Sequence, residues 1–271
     1  MTLTLFHNGM SVCAVKPRIV LAEKRLNWNS HVLDLIRGDQ FKQEYVRLNP
    51  KKVVPTLVHN GQPVTESNVI IQYLEEAFPD PPLASNDPYL RAQMRAWLMK
   101  LDDGEKGIHY HTSVLSFGAA YRHQLWEKAG HDPSRIESTM DGAFNPRSRR
   151  WLSDVVIQGA DSPDFANSVR AVDLWLKEIE AGLANNDWLA HKAFGLVECA
   201  YASYLTRFEM LGFEGLWAPK RRPKIKDWFN RIKARPSYLS GLLDWVDPTY
   251  LEVLSNRGPE TWPVVKRVLD M

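Results

Sequence analysis

This sequence has very little cysteine. Only Cys13 and Cys199 occur among 271 residues, so the chain has neither the quartet of a structural zinc site nor the framework of a disulfide-rich secreted protein. We therefore expect no bound metal and a reducing compartment. At about 150 residues per domain the length predicts roughly two domains, and such a chain can bury about 70–75% of its unfolded surface without disulfides.

An excess of one charge and a long apolar run are lacking as well. The 34 basic and 32 acidic residues leave a net charge of only +2. The chain as a whole therefore has no strong positive potential that would attract a polyanion, and we expect no nucleic-acid partner. No apolar run approaches the roughly 20 residues that cross a bilayer, and residues 1–9 do not resemble a signal peptide. We expect no membrane partner and a cytoplasmic location. The 44% hydrophobic and 24% charged residues predict a folded globular protein.

Two periodicities alternate in the first 80 residues. Short apolar runs predict strands, and apolar stripes spaced by three and four residues predict helices. The predicted strands cover residues 2–6, 29–35, 53–58 and 63–65, and the predicted helices cover 11–26, 40–48 and 67–77. Asn60-Gly61 between the last two strands is a strong hairpin signal. The order βαβαββα predicts an α/β domain with a mixed sheet flanked by helices.

A proline-rich segment at residues 78–82 interrupts this pattern. Consecutive prolines cannot continue a helix, and we place a domain boundary there. Beyond it the patterns are almost all helical, with predicted helices over residues 89–117, 119–129, 165–184, 196–210 and 223–234. We expect an α/β domain over residues 1–80 and an all-helical domain over residues 88–271. The pattern leaves the order of residues 130–163 open.

Pro55 stands near the start of a predicted strand. Because proline cannot donate a ladder hydrogen bond, it must lie at an edge, a strand start or a bulge. A cis peptide before it would leave the backbone N–H and C=O of Val54 free, so that a peptide-like ligand could pair there as an extra strand. The alternative is a strand that simply begins after a turn.

Glu66 and Ser67 precede the last helix of the first domain. Ser67 is a good N-cap candidate, and the unpaired N–H groups at the helix start suit a carboxylate. Glu66 beside it can accept from an ammonium group. The two residues together suit an amino-acid zwitterion, and an ordinary helix cap is the alternative.

Ser11 and Cys13 lie where the first strand leads into the first helix. The positive potential of a helix N-terminus lowers a thiol pKa and lets nearby donors hold a bound thiolate. Ser11 is placed to donate such a hydrogen bond. Cys13 is either a nucleophile or a small packed side chain.

Together these segments resemble the soluble glutathione transferases, and Asn49-Pro50 and the Trp-Phe-Asn-Arg run at residues 228–231 extend the resemblance over the whole chain. The resemblance implies a thioredoxin-like fold for the first domain and glutathione as cosubstrate. In such a domain Val54 and a cis Pro55 anchor the cysteinyl backbone of glutathione.

The resemblance also implies roles for three polar residues. Glu66 and Ser67 would hold the γ-glutamyl end of glutathione. Gln40 resembles the residue that this family uses at the glycyl end, and a solvated loop glutamine is the alternative.

Within the family, the loop Ser11-Val12-Cys13-Ala14 is similar to that of the zeta class, which implies that Ser11 donates to the glutathione thiolate. Omega-class enzymes have a cysteine at this place, so Ser11 argues against strong reductase activity. Residues 1–17 and 147–150 also resemble bacterial glutathione-dependent β-etherases that cleave lignin-derived aryl ethers. Those enzymes carry Asn and Ser in place of Cys13 and Ala14.

The implied activity is attack of the glutathione thiolate on a small electrophile, hydrophobic or aromatic, by conjugation or by displacement of a leaving group. The resemblance also implies a homodimer. Two alternatives stay open: a thiol-disulfide oxidoreductase that uses Cys13, and a non-catalytic member that keeps the fold. Whether Ser11 or Cys13 is the main catalytic residue stays open too.

The electrophile is expected between the domains, against the first helices of the second. The candidate residues there are Met94, Trp97, Leu101, His109, Tyr110, Phe117 and Tyr121. A stripe at helical spacing is more often core packing or a dimer contact than the lining of a pocket, and these are the alternatives.

Overall fold

The computed structural model describes residues 2–141, 144, 146–190 and 192–271. Its sheet has four strands in the order β2-β1-β3-β4, with β2 parallel to β1 and the other neighbours antiparallel. The strands are β1 (Leu3–His7), β2 (Asn29–Val32), β3 (Thr56–His59) and β4 (Gln62–Thr65), and the helices are α1 (Val12–Glu23), α2 (Gln43–Leu48) and α3 (Ser67–Ala77). This confirms the predicted βαβαββα order and the mixed sheet.

Local chemistry accounts for the hairpin between β3 and β4. Asn60 and Gly61 both have positive φ, at 51° and 83°, and this pair of conformations suits the twist of two antiparallel strands. β3 is shorter than predicted, because the side chains of Tyr45 in α2 and of Asn49 at its end bind the Val53 carbonyl, and Pro55 has no N–H to donate.

The rest of the described chain is helical. Its helices are α4 (Pro88–Asp102), α5 (Ile108–Ser116), α6 (Arg122–Lys128), α7 (Ile136–Thr139), α8 (Pro146–Gln158), α9 (Pro163–Gly182), α10 (Leu196–Met210), α11 (Pro223–Lys233), α12 (Pro236–Gly241), α13 (Pro248–Arg257) and α14 (Trp262–Val268). A π-helical turn, Phe117–Tyr121, joins α5 to α6. None of the helices in the described ranges has the length and apolar character needed to cross a membrane.

The prediction of a single helix over residues 89–117 is wrong, because the helix is interrupted between α4 and α5. Gly104 adopts a left-handed φ of 54°, and a Cβ on Gly107 would overlap the backbone of residues 101–103. These two glycines make a tight turn that an apolar stripe does not reveal. The helices over residues 236–271 also went unpredicted; several begin with proline, and an aspartate caps α13.

Packing of α1 against α10 and α12 joins the two parts of the fold into one apolar core. The segment between α3 and α4 is tied into this core by a buried ion pair of Lys24 and Glu75 at 2.7 Å. Lys24 also donates to two carbonyls of the segment, and Glu75 accepts from two of its N–H groups. The domain limits 1–80 and 88–271 stay a prediction.

The N-cap of helix α10 is Gly195, which has no side chain to cap the helix. A Cβ on Gly195 would lie 2.6 Å from the Leu83 carbonyl oxygen, so the close approach of the linker requires glycine. The carboxylate of Glu198 accepts from the Gly195 N–H at 3.0 Å and from the Leu189 N–H at 2.9 Å. The helix keeps its N-terminal bonding without a capping side chain.

Candidate functional site

The sheet register brings the predicted site segments to one end of the sheet. His7 pairs with Val32, Phe6 pairs with Thr56, and Thr56 pairs with Thr65. The residues after β1, after β2, before β3 and after β4 therefore all leave the sheet at the same end. These are the segments that carry Ser11, Gln40, Val54-Pro55 and Glu66-Ser67.

Ser11 is the N-cap of α1. Its Oγ accepts a hydrogen bond from the Ala14 N–H at 3.2 Å, and its side chain is partly exposed. The hydroxyl proton is donated to no acceptor in the described part of the chain. A hydroxyl at this position can cap its own helix and donate to a ligand at the same time.

The loop before Ser11, residues 8–10, is fixed by its own Asn8 side chain and by contact with the C-terminal region. The Asn8 side chain accepts from the Met10 N–H at 2.9 Å and donates to the Leu33 carbonyl at 3.0 Å. A Cβ on Gly9 would overlap the Trp245 carbonyl oxygen, so only glycine allows this approach. The loop is therefore rigid before any ligand binds.

Two buried arginines bind the carbonyls of this loop. Arg18, which is 1% exposed, donates to the carbonyls of Asn8 at 3.1 Å, Gly9 at 3.3 Å and Gly241 at 2.8 Å. Arg207 donates to the Met10 carbonyl at 2.6 Å. Sequence reasoning missed both residues; the available signal was a charged residue within a mostly apolar helix.

His7 completes the network around Arg18. Its Nδ1 lies 3.0 Å from Arg18 Nη1, which can only donate, so Nδ1 is the acceptor and Nε2–H faces Ser30 Oγ at 2.9 Å. Burial and then the Arg18 charge lower the pKa of His7 to about 3. The folded protein thus keeps His7 neutral.

We expect acid to destabilise the protein through His7. The unfolded chain binds a proton at His7 below a pH of about 6.5, whereas the folded chain does so only near pH 3, so stability falls as the pH drops through this window. The expected loss is about 2 kcal/mol of unfolding free energy at about pH 5 relative to about pH 8. Urea titrations of wild type and His7→Asn measure it. The exposed His131→Asn should keep the wild-type slope, and an equal slope in His7→Asn would contradict the assignment.

The Val54–Pro55 peptide bond is cis, and its surroundings explain the local backbone. The Asn49 side chain donates to the Val53 carbonyl at 2.9 Å and to Thr56 Oγ1 at 3.0 Å, and the Tyr45 hydroxyl donates to the same carbonyl. The backbone N–H and C=O of Val54 make no hydrogen bond within the described residues. Both groups are available to a ligand.

Glu66 and Ser67 lie at the start of α3. Glu66, rather than Ser67, is the N-cap, because its φ of 64° and ψ of 113° are not helical; Ser67 is the first helical residue and the expectation that it caps is wrong. Such a backbone conformation in a non-glycine residue is costly and is often retained at ligand sites. The exposed Glu66 carboxylate accepts from Lys51 Nζ at 2.8 Å.

Gln40 lies in a short 3-10 helix, Asp39–Phe41, after β2. It is 3% exposed, and its side-chain amide donates to the Leu35 carbonyl at 3.1 Å. The solvated loop glutamine that we considered is therefore not what the structure shows. Its role toward a ligand stays a prediction.

Cys13 is partly accessible and has a histidine partner. Its Sγ lies 3.5 Å from Nδ1 of the exposed His109. Burial raises the pKa of the Cys13 thiol, but the charges of His109 and the buried Lys16 outweigh it, so the pKa is lowered. Interaction with the Cys13 thiolate in turn raises the pKa of His109. The pair favours a reactive thiolate, whereas Cys199 is fully buried and its pKa is raised by burial.

His109 contacts Cys13, and the Tyr110 ring packs on His111 and Trp151. The other candidate residues for an electrophile divide into two groups. Met94 and Leu101 are buried in the core, and Trp97 packs on Tyr201. Phe117 and Tyr121, in contrast, form a run of ring contacts with Phe144 and Tyr250 on the side of the π-helical turn. This second group makes an aromatic surface between α5 and α13.

A small mixed sheet with a cis-proline loop, joined to a helical bundle, defines the class of thioredoxin-like domains with an all-α partner domain. The family model for the N-terminal domain of glutathione S-transferases matches residues 1–76, and that for the C-terminal domain matches residues 137–236. The chain belongs to the glutathione S-transferase family, whose cosubstrate is glutathione.

Individual relatives agree with this assignment. The chain is 28% identical over 242 residues to protein LigF of Sphingobium sp., with 88% of this chain and 91% of LigF covered. It is 27% identical to tetrachloro-p-hydroquinone reductive dehalogenase of Sphingobium chlorophenolicum, with 87% and 93% covered. The crystal structure of β-etherase LigF shares the fold at a TM-score of 0.76 and 24% identity, covering 89% of this chain and 98% of that one.

Proposed function

We propose that this protein is a glutathione transferase that activates the glutathione thiol at Ser11 for attack on an aromatic electrophile. The observation that carries this proposal is the register of the sheet, which brings a free hydroxyl proton, the unpaired backbone of Val54 and a helix N-terminus to one end of the sheet. These groups match the thiol, the peptide backbone and the γ-glutamyl carboxylate of one tripeptide.

Each part of glutathione has a proposed partner. The cysteinyl backbone pairs with the N–H and C=O of Val54 beside cis Pro55. The γ-glutamyl carboxylate takes the unpaired N–H groups at Ser67, and its ammonium binds Glu66 in place of Lys51. Gln40 is proposed for the glycyl end. The rigid loop before Ser11 means that glutathione meets a preformed site.

The chemistry is a nucleophilic displacement. The thiol proton leaves to solvent, and the Ser11 hydroxyl together with the N-terminus of α1 stabilises the thiolate. The thiolate forms a C–S bond to the electrophilic carbon. With an aryl ether, the C–O bond breaks and its electron pair leaves with the oxygen as a phenolate; with an activated double bond, a solvent proton completes the addition.

The substrate class follows from the aromatic surface and from one relative. The partly buried rings of Phe117, Tyr121 and Tyr250 pack edge to face and offer aromatic contacts on the helical side of the site. The similarity to LigF, a β-etherase, extends over most of both chains. We therefore propose β-etherase-like displacement at an aryl ether as the reaction to test first.

Two measurements test this function. Calorimetric titration should show glutathione binding, which an inert scaffold need not show. Mass spectrometry should then detect glutathione conjugates in a panel of β-aryl ether ketones, aryl halides, maleyl compounds and mixed disulfides. We expect an aryl ether or halide to be turned over. Absence of glutathione binding would contradict the proposal, and turnover of mixed disulfides alone would replace it with the function below.

A second candidate function is thiol-disulfide exchange, and the 3.5 Å contact between Cys13 and His109 favours it. The Cys13 thiolate would attack a glutathionylated substrate, release the substrate's thiol and leave a Cys13–glutathione disulfide. A second glutathione would then attack this disulfide, which frees the Cys13 thiolate and forms oxidised glutathione. Under this function Cys13→Ser abolishes the exchange. Retained exchange in that variant removes the candidate.

We also propose a homodimer, on the basis of family membership. The location that we propose is the cytoplasm, since both cysteines are free thiols, as a reducing compartment would keep them. The proposed electrophile is a small molecule.

A further inference from the structure

Arg207 is a buried guanidinium with no carboxylate partner in the described part of the chain. It is 8% exposed, donates to the Met10 carbonyl at 2.6 Å and reaches Ser116 Oγ at 3.4 Å, whereas its Nε is buried without a hydrogen-bond partner. A guanidinium carries five N–H donors and a charge that is costly to bury without an anion. Arg207 thus has an unused N–H donor and a charge that no carboxylate of the described residues neutralises.

A second polar group without a partner lies beside it. The Arg207 Cζ is 5.8 Å from the centroid of the Tyr121 ring, and the Tyr121 hydroxyl is buried with no hydrogen bond to any described residue. Burial raises the pKa of Tyr121, so the phenol remains a hydrogen-bond donor at neutral pH. Phe117 and Tyr250 contact the same ring, with centroids at 5.3 and 5.9 Å.

Arg207 contacts the catalytic loop, and Tyr121 lies in an irregular turn of helix. Arg207 binds the carbonyl of the residue immediately before Ser11. Tyr121 ends the π-helical turn Phe117–Tyr121, and such turns inside α-helices occur frequently at functional sites. Gly118 within this turn has no room for a side chain, because a Cβ would lie 2.7 Å from the Phe165 ring.

We propose that Arg207 and Tyr121 form a subsite for an anionic oxygen of the electrophilic substrate, either a carboxylate or an ionised phenol on an aromatic ring. This inference rests on the proposed function. Charge-assisted hydrogen bonds in apolar surroundings are strong, so the subsite both binds the anion and selects for it. Anchored next to Ser11, the anion orients the rest of the substrate toward the glutathione sulfur.

A binding experiment tests the subsite without turnover. The full-length protein is saturated with S-methylglutathione, which has no free thiol, and titrated by calorimetry with 3-nitrobenzoate or its methyl ester. A second pair, 4-nitrophenolate and 4-nitroanisole, distinguishes the phenolate source from the carboxylate. We expect the favoured anion to bind about 10–100-fold more tightly than its neutral partner. Equal affinities in both pairs, or no binding of any anion, would overturn the proposal.

Variants then assign the preference to the two residues. Arg207→Met should reduce the anion-to-neutral affinity ratio to about one, and Tyr121→Phe, which removes only the hydroxyl, should reduce it about tenfold. The exposed Arg170→Met is the matched control and should keep the wild-type ratio. An unchanged ratio in Arg207→Met contradicts the proposal. Should that variant fail to fold, the wild-type pairs and Tyr121→Phe decide.

The design separates the two proposals. Failure of the proposed function appears as no binding of glutathione or S-methylglutathione. Failure of the subsite appears as a lack of anion preference in protein that does bind S-methylglutathione. The same titrations on the free protein give the subsite a readout of its own.

Discussion

Replacement of Ser11 by alanine is expected to lower kcat/KM for glutathione-dependent turnover about 100-fold to 1000-fold. The hydroxyl proton has no acceptor in the described chain, so its one proposed partner is the thiolate. Without it, the pKa of the bound glutathione thiol should rise and less thiolate should be present at neutral pH. Stopped assays give the rate constants, and the ultraviolet absorbance of bound thiolate as a function of pH gives the pKa.

The comparison with Ser11→Thr makes this result specific. Threonine keeps both the hydroxyl donor and the cap on the Ala14 N–H, so activity and thiol pKa should remain near wild type. Alanine also removes the cap, which costs about 1 kcal/mol of stability, and unfolding measurements account for that part. If Ser11→Ala keeps its activity while Cys13→Ser loses it, Cys13 is the main catalytic residue instead.

Replacement of Arg18 by methionine is expected to lower the unfolding free energy by about 4 kcal/mol. The side chain is fully buried and donates to Asn8, Gly9 and Gly241 carbonyls and to His7 Nδ1. Methionine fills much of the same space but leaves these acceptors buried without donors, and each costs about 1–3 kcal/mol. Urea-induced unfolding measures the loss.

The loop before Ser11 should also lose its fixed shape in Arg18→Met, so the KM for glutathione should rise in protein that still folds. Arg170→Met, at an exposed arginine, should stay within about 0.5 kcal/mol of wild type. A loss below about 1 kcal/mol in Arg18→Met would show that the network does not stabilise the fold.

Short-range patterns predicted most of the first domain. Three predicted features that depend only on neighbours in sequence are present in the structure: the Asn60-Gly61 turn, the short strand β1 and the apolar stripe of α3. The interruption of the helix at Gly104 was missed because a residue with a left-handed φ does not change the spacing of the apolar residues around it. The N-cap of α3 was predicted one residue too late, because Glu66 has a backbone conformation that is unusual for glutamate.

The sequence pattern could not predict the buried polar contacts around the site. Arg18 and Arg207 lie on helices whose neighbouring residues are buried. Arg18 binds the Gly241 carbonyl, 223 positions away along the chain, and Arg207 binds the Met10 carbonyl, 197 positions away. Cys13 and His109 meet across 96 positions. Contacts of this kind depend on how elements pack, so a single sequence without an alignment does not specify them.

The two arginines hold main-chain oxygens of residues 8–10 from outside the loop, and they act together with the Asn8 side chain and the close packing at Gly9. The partly exposed position 13 can therefore exchange residue types while the loop backbone stays in place, whereas Val12 and Ala14 are buried. Such an arrangement lets one scaffold acquire new reactivity by point substitution, and it makes Cys13 the first position at which a designer would seek a change of chemistry without a loss of folding.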